Sequence, residues 1–217
     1  MIRLKNFILL LLACAPISVA AQDDFGGNIS VELSKKLNKR LDVSLEEEVR
    51  LTHNWSHFDR SATTLAADVK LVKKYLKAGI AYSVLAGNES TYFMLDQRAV
   101  ASLTGYVSAG NFAFSLKGRY QATFLDERFR NARKINPKQI VRGKAEVEYG
   151  IQKIKLSPYF SAEAYYDVSK KNVNRFKYSL GAKKKVNKHN SFGVGLQIDD
   201  KLKSNNYYIL LGYSYKL

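Results

Sequence analysis

The chain has 217 residues, a formal net charge of +16 and a single cysteine, Cys14. One cysteine excludes an internal disulfide framework and a cysteine-built zinc site. The length suits one domain, and the basic excess points to anionic partners, whether nucleic acid or a charged surface.

The N-terminus reads MIRLKNFILLLLACAPISVAAQDD: Arg3 and Lys5, an apolar run from Phe7 to about Ala15, then small residues at Val19, Ala20 and Ala21. That three-part order is the pattern of a secretory signal peptide. Its apolar core falls short of the roughly 20 residues that span a bilayer. Cleavage is expected after Ala21, making residues 1–21 a signal peptide and 22–217 the mature domain. Leu11-Leu12-Ala13-Cys14 also resembles the box at which lipoproteins are cut and lipidated, so lipidation at Cys14 is the alternative. Cleavage at Ala21 would leave no thiol nucleophile. The loss of Arg3 and Lys5 takes 35 basic side chains to 33 against 19 acidic ones. An exported chain rarely meets nucleic acid, so the expected partners are anionic lipid headgroups or surface polysaccharide.

Beyond residue 24 the recurring signal is alternation with period two, the mark of β-strands. In RLDVSLEEEVRLT, Leu41, Val43, Leu45, Val49 and Leu51 share one face while Asp42, Ser44, Glu46, Glu48 and Arg50 share the other. FAFSLKGRYQATF sets Phe112, Phe114, Leu116, Tyr120 and Phe124 against Ser115, Lys117, Arg119, Gln121 and Thr123. VRGKAEVEY sets Val141, Ala145, Val147 and Tyr149 against Arg142, Lys144, Glu146 and Glu148. The pattern runs on through LSPYFSAEAYY, RFKYSLGAKK and NSFGVGLQI to the last eleven residues, YYILLGYSYKL. This periodicity gives about eleven strands of roughly 9 to 13 residues.

Strict alternation over such lengths fits a soluble sheet with a buried apolar face or a transmembrane barrel with an apolar outside and a polar lumen. The strand lengths match the 9 to 11 tilted residues that cross a bilayer, and they exceed the usual five or six of soluble sheets. Short connections (KKLNKR, KKYLK, SAGN, GIQK, KVNKHN) alternate with longer ones (HNWSHFDR, GNEST, DERFRNARKINPK, DVSKKNVNR, DDKLKSNN). Tyr149, Tyr159, Tyr165, Tyr166, Tyr207, Tyr208 and Tyr213 lie near strand ends, as in an aromatic girdle. The expected fold is an all-β, antiparallel up-and-down transmembrane barrel. Because single-chain bacterial barrels have even strand numbers, twelve strands are expected, with ten possible.

LEEEVRL, GRYQATF, QIVRGKAEVEYGI, SPYFSAEAYYD and RFKYSLGAKKKVNKHNSFGVGL resemble, in that order, the landmarks of an outer-membrane β-barrel family, domain of unknown function 2490. The resemblance covers nearly all of the mature chain. It implies a Gram-negative outer-membrane location and a barrel fold, and it transfers no activity, ligand or catalytic residue. The closing run also resembles the C-terminal signal read by the barrel assembly machinery, with Gly212, Tyr215 and Leu217 in its three characteristic places; Leu in the last place and Leu210 depart from the usual residues.

Parity assigns Glu46, Glu48, Arg50, Asp68, Lys70, Arg98, Lys117, Arg119, Gln121, Arg142, Lys144, Glu146, Glu148 and Glu163 to the lumen. In so narrow a barrel, long side chains of both signs are expected either to plug the interior through ion pairs or to line a narrow path for an anionic solute, with Arg119, Arg142 and Lys144 as contacts. Arg128, Arg130, Arg133, Lys134 and Lys138 are gathered in one loop, where lipopolysaccharide phosphates suit the guanidinium fork. His53, Ser56, His57 and Asp59 in HNWSHFDR are the one loop set that offers a base and a nucleophile. No glycine-rich phosphate loop, GxSxG elbow or HExxH helix is present, and no metal or cofactor is expected. The sequence favours a non-enzymatic envelope protein, structural or a narrow solute path. The alternative is a lipid- or envelope-modifying enzyme with its site on the external loops; the oligomeric state stays open.

Overall fold

The computed structural model describes residues 24–89, 92–126, 136–201 and 204–217. The signal peptide of residues 1–21, Cys14, and the loop cations Arg128, Arg130, Arg133 and Lys134 lie outside the described residues.

Eleven strands form one closed barrel: β1 (Asp24–Lys36), β2 (Leu41–Thr52), β3 (His57–Val72), β4 (Leu76–Glu89), β5 (Tyr92–Ala109), β6 (Phe112–Phe124), β7 (Lys138–Tyr149), β8 (Leu156–Asp167), β9 (Asn172–Lys185), β10 (Asn190–Asp200) and β11 (Asn205–Lys216). Each strand is antiparallel to the next in sequence, and β1 closes the ring on β11 in a parallel ladder from Asp24↔Asn206 to Ser34↔Lys216. The expected twelfth strand is absent among the described residues. The evenness expectation rested on antiparallel closure; when direction alternates around eleven strands the first and last run the same way, and a parallel ladder satisfies their backbone groups. The stretch from Asn88 to Val107 is mostly one strand, the 18-residue β5.

Side-chain chemistry sets the hairpins at the short-turn end. Asn38 Oδ1 accepts from the amides of Arg40 and Leu41, both at 2.8 Å. Asn187 Oδ1 does the same for His189 and Asn190 at the β9–β10 turn, also at 2.8 Å. These asparagines imitate a backbone turn with their own carbonyl. Gly110, at φ +58°, supplies the left-handed residue of the two-residue β5–β6 connection.

The barrel is inverted relative to a soluble protein. Its buried polar residues include Arg50, Gln121, Glu163, Gln197 and Asp199, and they outnumber the buried hydrophobic ones, Ala62, Leu85, Ile140, Tyr165 and Tyr208. Large apolar side chains cover the outside, where Leu65, Ile80 and Leu116 are 61%, 69% and 68% exposed. Tyr159, Tyr165 and Tyr208 do not join an outer girdle. Tyr165 and Tyr208 are buried, and Tyr159 and Tyr208 lie where a Cβ on Gly181 or Gly195, or on Gly26, would stand. Phenol rings occupy the room that glycines on neighbouring strands leave open, and they fill one sector of the lumen.

Candidate functional site in the barrel lumen

Alternation turns every second residue of each strand inward, and the pairing registers bring these residues into contact. The remaining space is a cavity of about 800 Å³ lined by β1 to β9 and the start of the β10–β11 connection. Glu46, Glu48, Arg50, Asp68, Arg98, Lys117, Arg119, Gln121 and Arg142 line it, joined by Arg60, Lys77, Arg175, Lys177 and Lys201. Eleven lining side chains are basic and five acidic, so the cavity is electropositive.

Its most connected wall centres on Arg142 of β7. The guanidinium donates to Glu163 Oε1 (3.0 Å), Gln121 Oε1 (3.2 Å) and the Tyr165 hydroxyl (2.8 Å). Tyr165 in turn donates to Glu163 Oε2 at 3.0 Å. Arg119 reaches the same carboxylate at 3.6 Å, so one buried glutamate serves two arginines. The Tyr165 ring has the guanidinium carbons of Arg142 at 4.5 Å and Arg175 at 5.2 Å, and the Lys177 ammonium at 5.6 Å, from its centroid. Arg175 forms a two-pronged pair with the fully buried Asp199. Across the lumen Glu48 lies 3.4 Å from Arg50 and 3.9 Å from Arg60.

Lys144, Glu146 and Glu148 do not line the cavity. They form a separate cluster nearer the short-turn end: Lys144 Nζ to Glu146 at 2.7 Å, and Lys183 Nζ to Glu146 at 3.0 Å and Glu148 at 3.4 Å. Lys183 also stands over the Tyr159 ring at 4.7 Å. On the other side Lys77 pairs with Asp68 at 3.0 Å and Lys70 with Asp42 at 2.6 Å. The expected lumen set therefore divides into an ion-paired floor and an electropositive chamber.

Sequence reading missed Arg60, Arg175, Lys177, Lys183 and Asp199. Parity would have found four of them, since Phe176, Tyr178 and Leu180 alternate with Arg175, Lys177 and Ser179, and Ile198 precedes Asp199. Arg60 was hidden because HNWSHFDR read as a long loop. Its turn spans only residues 53–56, with His53, Asn54 and Trp55 at φ of 51°, 56° and 70°, and His57 already begins β3. The turn folds back on β1: the Asn54 amide donates to the Phe25 carbonyl at 2.8 Å, and the Trp55 indole covers Gly27.

The loop set does not assemble a nucleophile and base. Ser56 Oγ donates to the backbone carbonyl of His53 at 2.5 Å, so its proton is not directed at an imidazole. The His53 and His57 rings meet edge to face at 5.4 Å. Among the described residues no three histidine, cysteine or carboxylate side chains gather as a metal site. At the other terminus, the Lys216 and Leu217 amides donate to the carbonyls of His189 and Ser34, both at 2.8 Å; the end of β11 is tied to the residue before β10 and to β1.

Comparison with known proteins adds one match, to the family described as "Protein of unknown function (DUF2490)", over residues 26–208. No curated protein matches the chain.

Proposed function

We propose that the chain, which belongs to the DUF2490 family, is a non-enzymatic outer-membrane barrel, its wall facing lipid and its lumen serving as a structural core around a solvated chamber. The supporting observation is the inversion of polarity. Exposed Ile29, Leu65, Ile80, Leu103, Leu116, Phe160, Leu180 and Leu196 are drawn from eight different strands around the ring. Soluble monomers rarely expose contiguous apolar patches beyond a few hundred Å². A twelve-residue strand is about 40 Å long, and at a tilt of about 45° it rises about 28 Å, near the hydrocarbon thickness of a bilayer.

Glu47 places a charge on the outer wall. Leu45 beside it points out, and Glu47 accepts a hydrogen bond from the Thr63 hydroxyl at 2.5 Å. Glu47 lies near the middle of β2, directly opposite Thr63, where a lipid-facing charge costs stability, less for a carboxylate than for Arg or Lys. The short-turn end would face the periplasm, and the C-terminal strand, tied to its neighbours through Lys216 and Leu217, would be the part read by the assembly machinery. Outer-membrane lipid and lipopolysaccharide would surround the wall.

Membrane fractionation tests the reading. The full-length chain, expressed with its leader, should sediment with the outer membrane and migrate faster on gels before boiling than after. Recovery as a folded protein in the soluble fraction, with no need of detergent, refutes it. The enzyme alternative has no comparable support, because the Ser56 hydroxyl donates to the His53 backbone carbonyl and not to an imidazole.

A further inference from the structure

The lumen carries more positive charge than its own carboxylates neutralise, and the excess is localised. Among the described residues Arg98, Lys117 and Lys177 line the cavity without a carboxylate within ion-pair distance. Arg98 has only the Thr123 hydroxyl, at 3.4 Å, and Lys177 stands over the Tyr165 ring opposite Glu163 and Asp199, carboxylates already engaged by Arg142 and Arg175. The Nε atoms of Arg50, Arg60 and Arg119 are buried with no acceptor. Register adds to the repulsion: Arg119 lies directly opposite Arg142, Lys117 opposite Lys144, and Arg50 opposite Arg60. Like charges placed opposite one another on a sheet are destabilising, and buried donors without acceptors are rare in native proteins and call for a physical reason.

We propose that this chamber is a binding site for a small, multiply charged phosphate-type anion, held among Arg60, Arg98, Arg119 and Lys177. A phosphoryl group offers several acceptor oxygens and more than one negative charge. It can take up unused guanidinium N–H groups in forked pairs and offset charge on more than one strand at once. Arg60, Arg98 and Arg119 project from β3, β5 and β6 and Lys177 from β9 into the same cavity, so one ligand can meet cations from several strands. Arg142 and Arg175 are already held by Glu163 and Asp199, and they frame the site without being spent on the ligand. A volume of about 800 Å³ falls in the range of small-molecule sites, roughly 300 to 1,000 Å³, so a phosphorylated solute fits as well as a free phosphoanion. The site lies inside the ring and does not depend on whether lipid or water surrounds it.

The test uses folded full-length mature protein, in detergent or in buffer as its solubility dictates, at fixed ionic strength. Inorganic pyrophosphate is the primary probe, with orthophosphate, succinate and glycerol 3-phosphate as comparison arms. Calorimetric titration should show one site for pyrophosphate and at least about tenfold weaker binding of succinate. Arg98→Gln and Lys177→Gln should each weaken pyrophosphate about tenfold or more, while Lys188→Gln at the short-turn rim leaves it unchanged. Glycerol 3-phosphate binding as tightly as pyrophosphate would assign the site to phosphorylated solutes rather than free phosphoanions. Because Arg98→Gln removes an unpaired cation, it should unfold at or above the wild-type temperature without ligand, and both variants should lose the ligand-dependent gain. Absence of pyrophosphate binding at millimolar concentration overturns the proposal. So does equal binding by wild type and both variants, which would place the anion on the exposed lysine rim. A fractionation result against the membrane reading leaves this test intact, since binding is measured on the folded barrel in either medium.

Discussion

Gly181→Ala is expected to destabilise the barrel, and Gly193→Ala on the next strand is expected not to. A Cβ on Gly181 would stand 2.5 Å from the Val194 carbonyl oxygen, 2.8 Å from the Tyr159 hydroxyl and 2.9 Å from the Gly195 Cα. Tyr159 can swing aside. The other two contacts are backbone of β10, directly paired with Gly181 through Gly195, so the β9–β10 ladder has to part by several tenths of an ångström. Overpacking of this kind costs about 1–3 kcal/mol, against a gain of about 0.5–1 kcal/mol from replacing a strand glycine. The net loss is up to about 2.5 kcal/mol. A Cβ on Gly193 meets nothing within 4 Å, so there only the gain remains and the two variants should differ by the overpacking cost, about 1–3 kcal/mol. Urea unfolding followed by the fluorescence of Trp55, the one tryptophan, and by loss of the compact gel form measures both. Tyr159→Phe in the Gly181→Ala background should recover only part of the loss, because the backbone contacts persist. Equal midpoints for the two alanine variants, or full recovery with Tyr159→Phe, would refute the tight β9–β10 approach.

Removing the Arg142 side chain should cost more than removing any cavity cation that lacks a carboxylate. Arg142→Ala leaves buried Glu163 with the Tyr165 hydroxyl at 3.0 Å and Arg119 at 3.6 Å, and breaking a buried pair costs up to about 3–5 kcal/mol; Arg142→Ala with Glu163→Gln together should be milder than the single change in the same urea titration. Leu65→Arg, on the outer wall, should lower stability in lipid by about 2–4 kcal/mol if the residue sits near the bilayer midplane, and an unchanged midpoint in vesicles would contradict a lipid-facing wall. Glu47→Leu should do the reverse, raising stability in vesicles by up to about 1 kcal/mol and lowering solubility if the wall faces water. Deleting Tyr215–Leu217 removes the hydrogen bonds to Ser34 and His189 and should leave the chain exported but without its heat-modifiable form; normal barrel formation by the truncated chain would show that the terminus is not the assembly signal.

The fold was legible because alternation is a local property that survives everywhere around a ring. Leu45 and Leu116 point out while Glu46, Lys117 and Arg119 point in, as their parity in the sequence requires. Closure was not legible, because nothing within a strand says whether its neighbour runs parallel or antiparallel; that depends on the total count, and β1 shows it only by pairing Phe25 with Tyr207 and Leu33 with Tyr215. Aromatic placement failed for a related reason. Tyr159 and Tyr208 look like interface residues until the glycines opposite them are known, and Gly181, Gly195 and Gly26 lie on other strands. Arg60 was missed because a tight turn of three left-handed residues, His53 to Trp55, looks from composition like a long polar loop.

Register also separates what the lumen needs for folding from what it does not. The floor pairs Lys144 and Lys183 with Glu146 and Glu148, and such a cluster is sufficient to neutralise and fill a narrow barrel. The chamber above departs from this economy: Arg50 faces Arg60 and Arg119 faces Arg142 across their ladders, and Arg98 is left with a hydroxyl. Exchanging one arginine of each opposed pair for glutamine would lower the repulsion and keep the side-chain length. A local choice that works against stability is the usual mark of a site kept for function. In this barrel those choices fall on the chamber and not on the floor, so the chamber is where a ligand should be sought first.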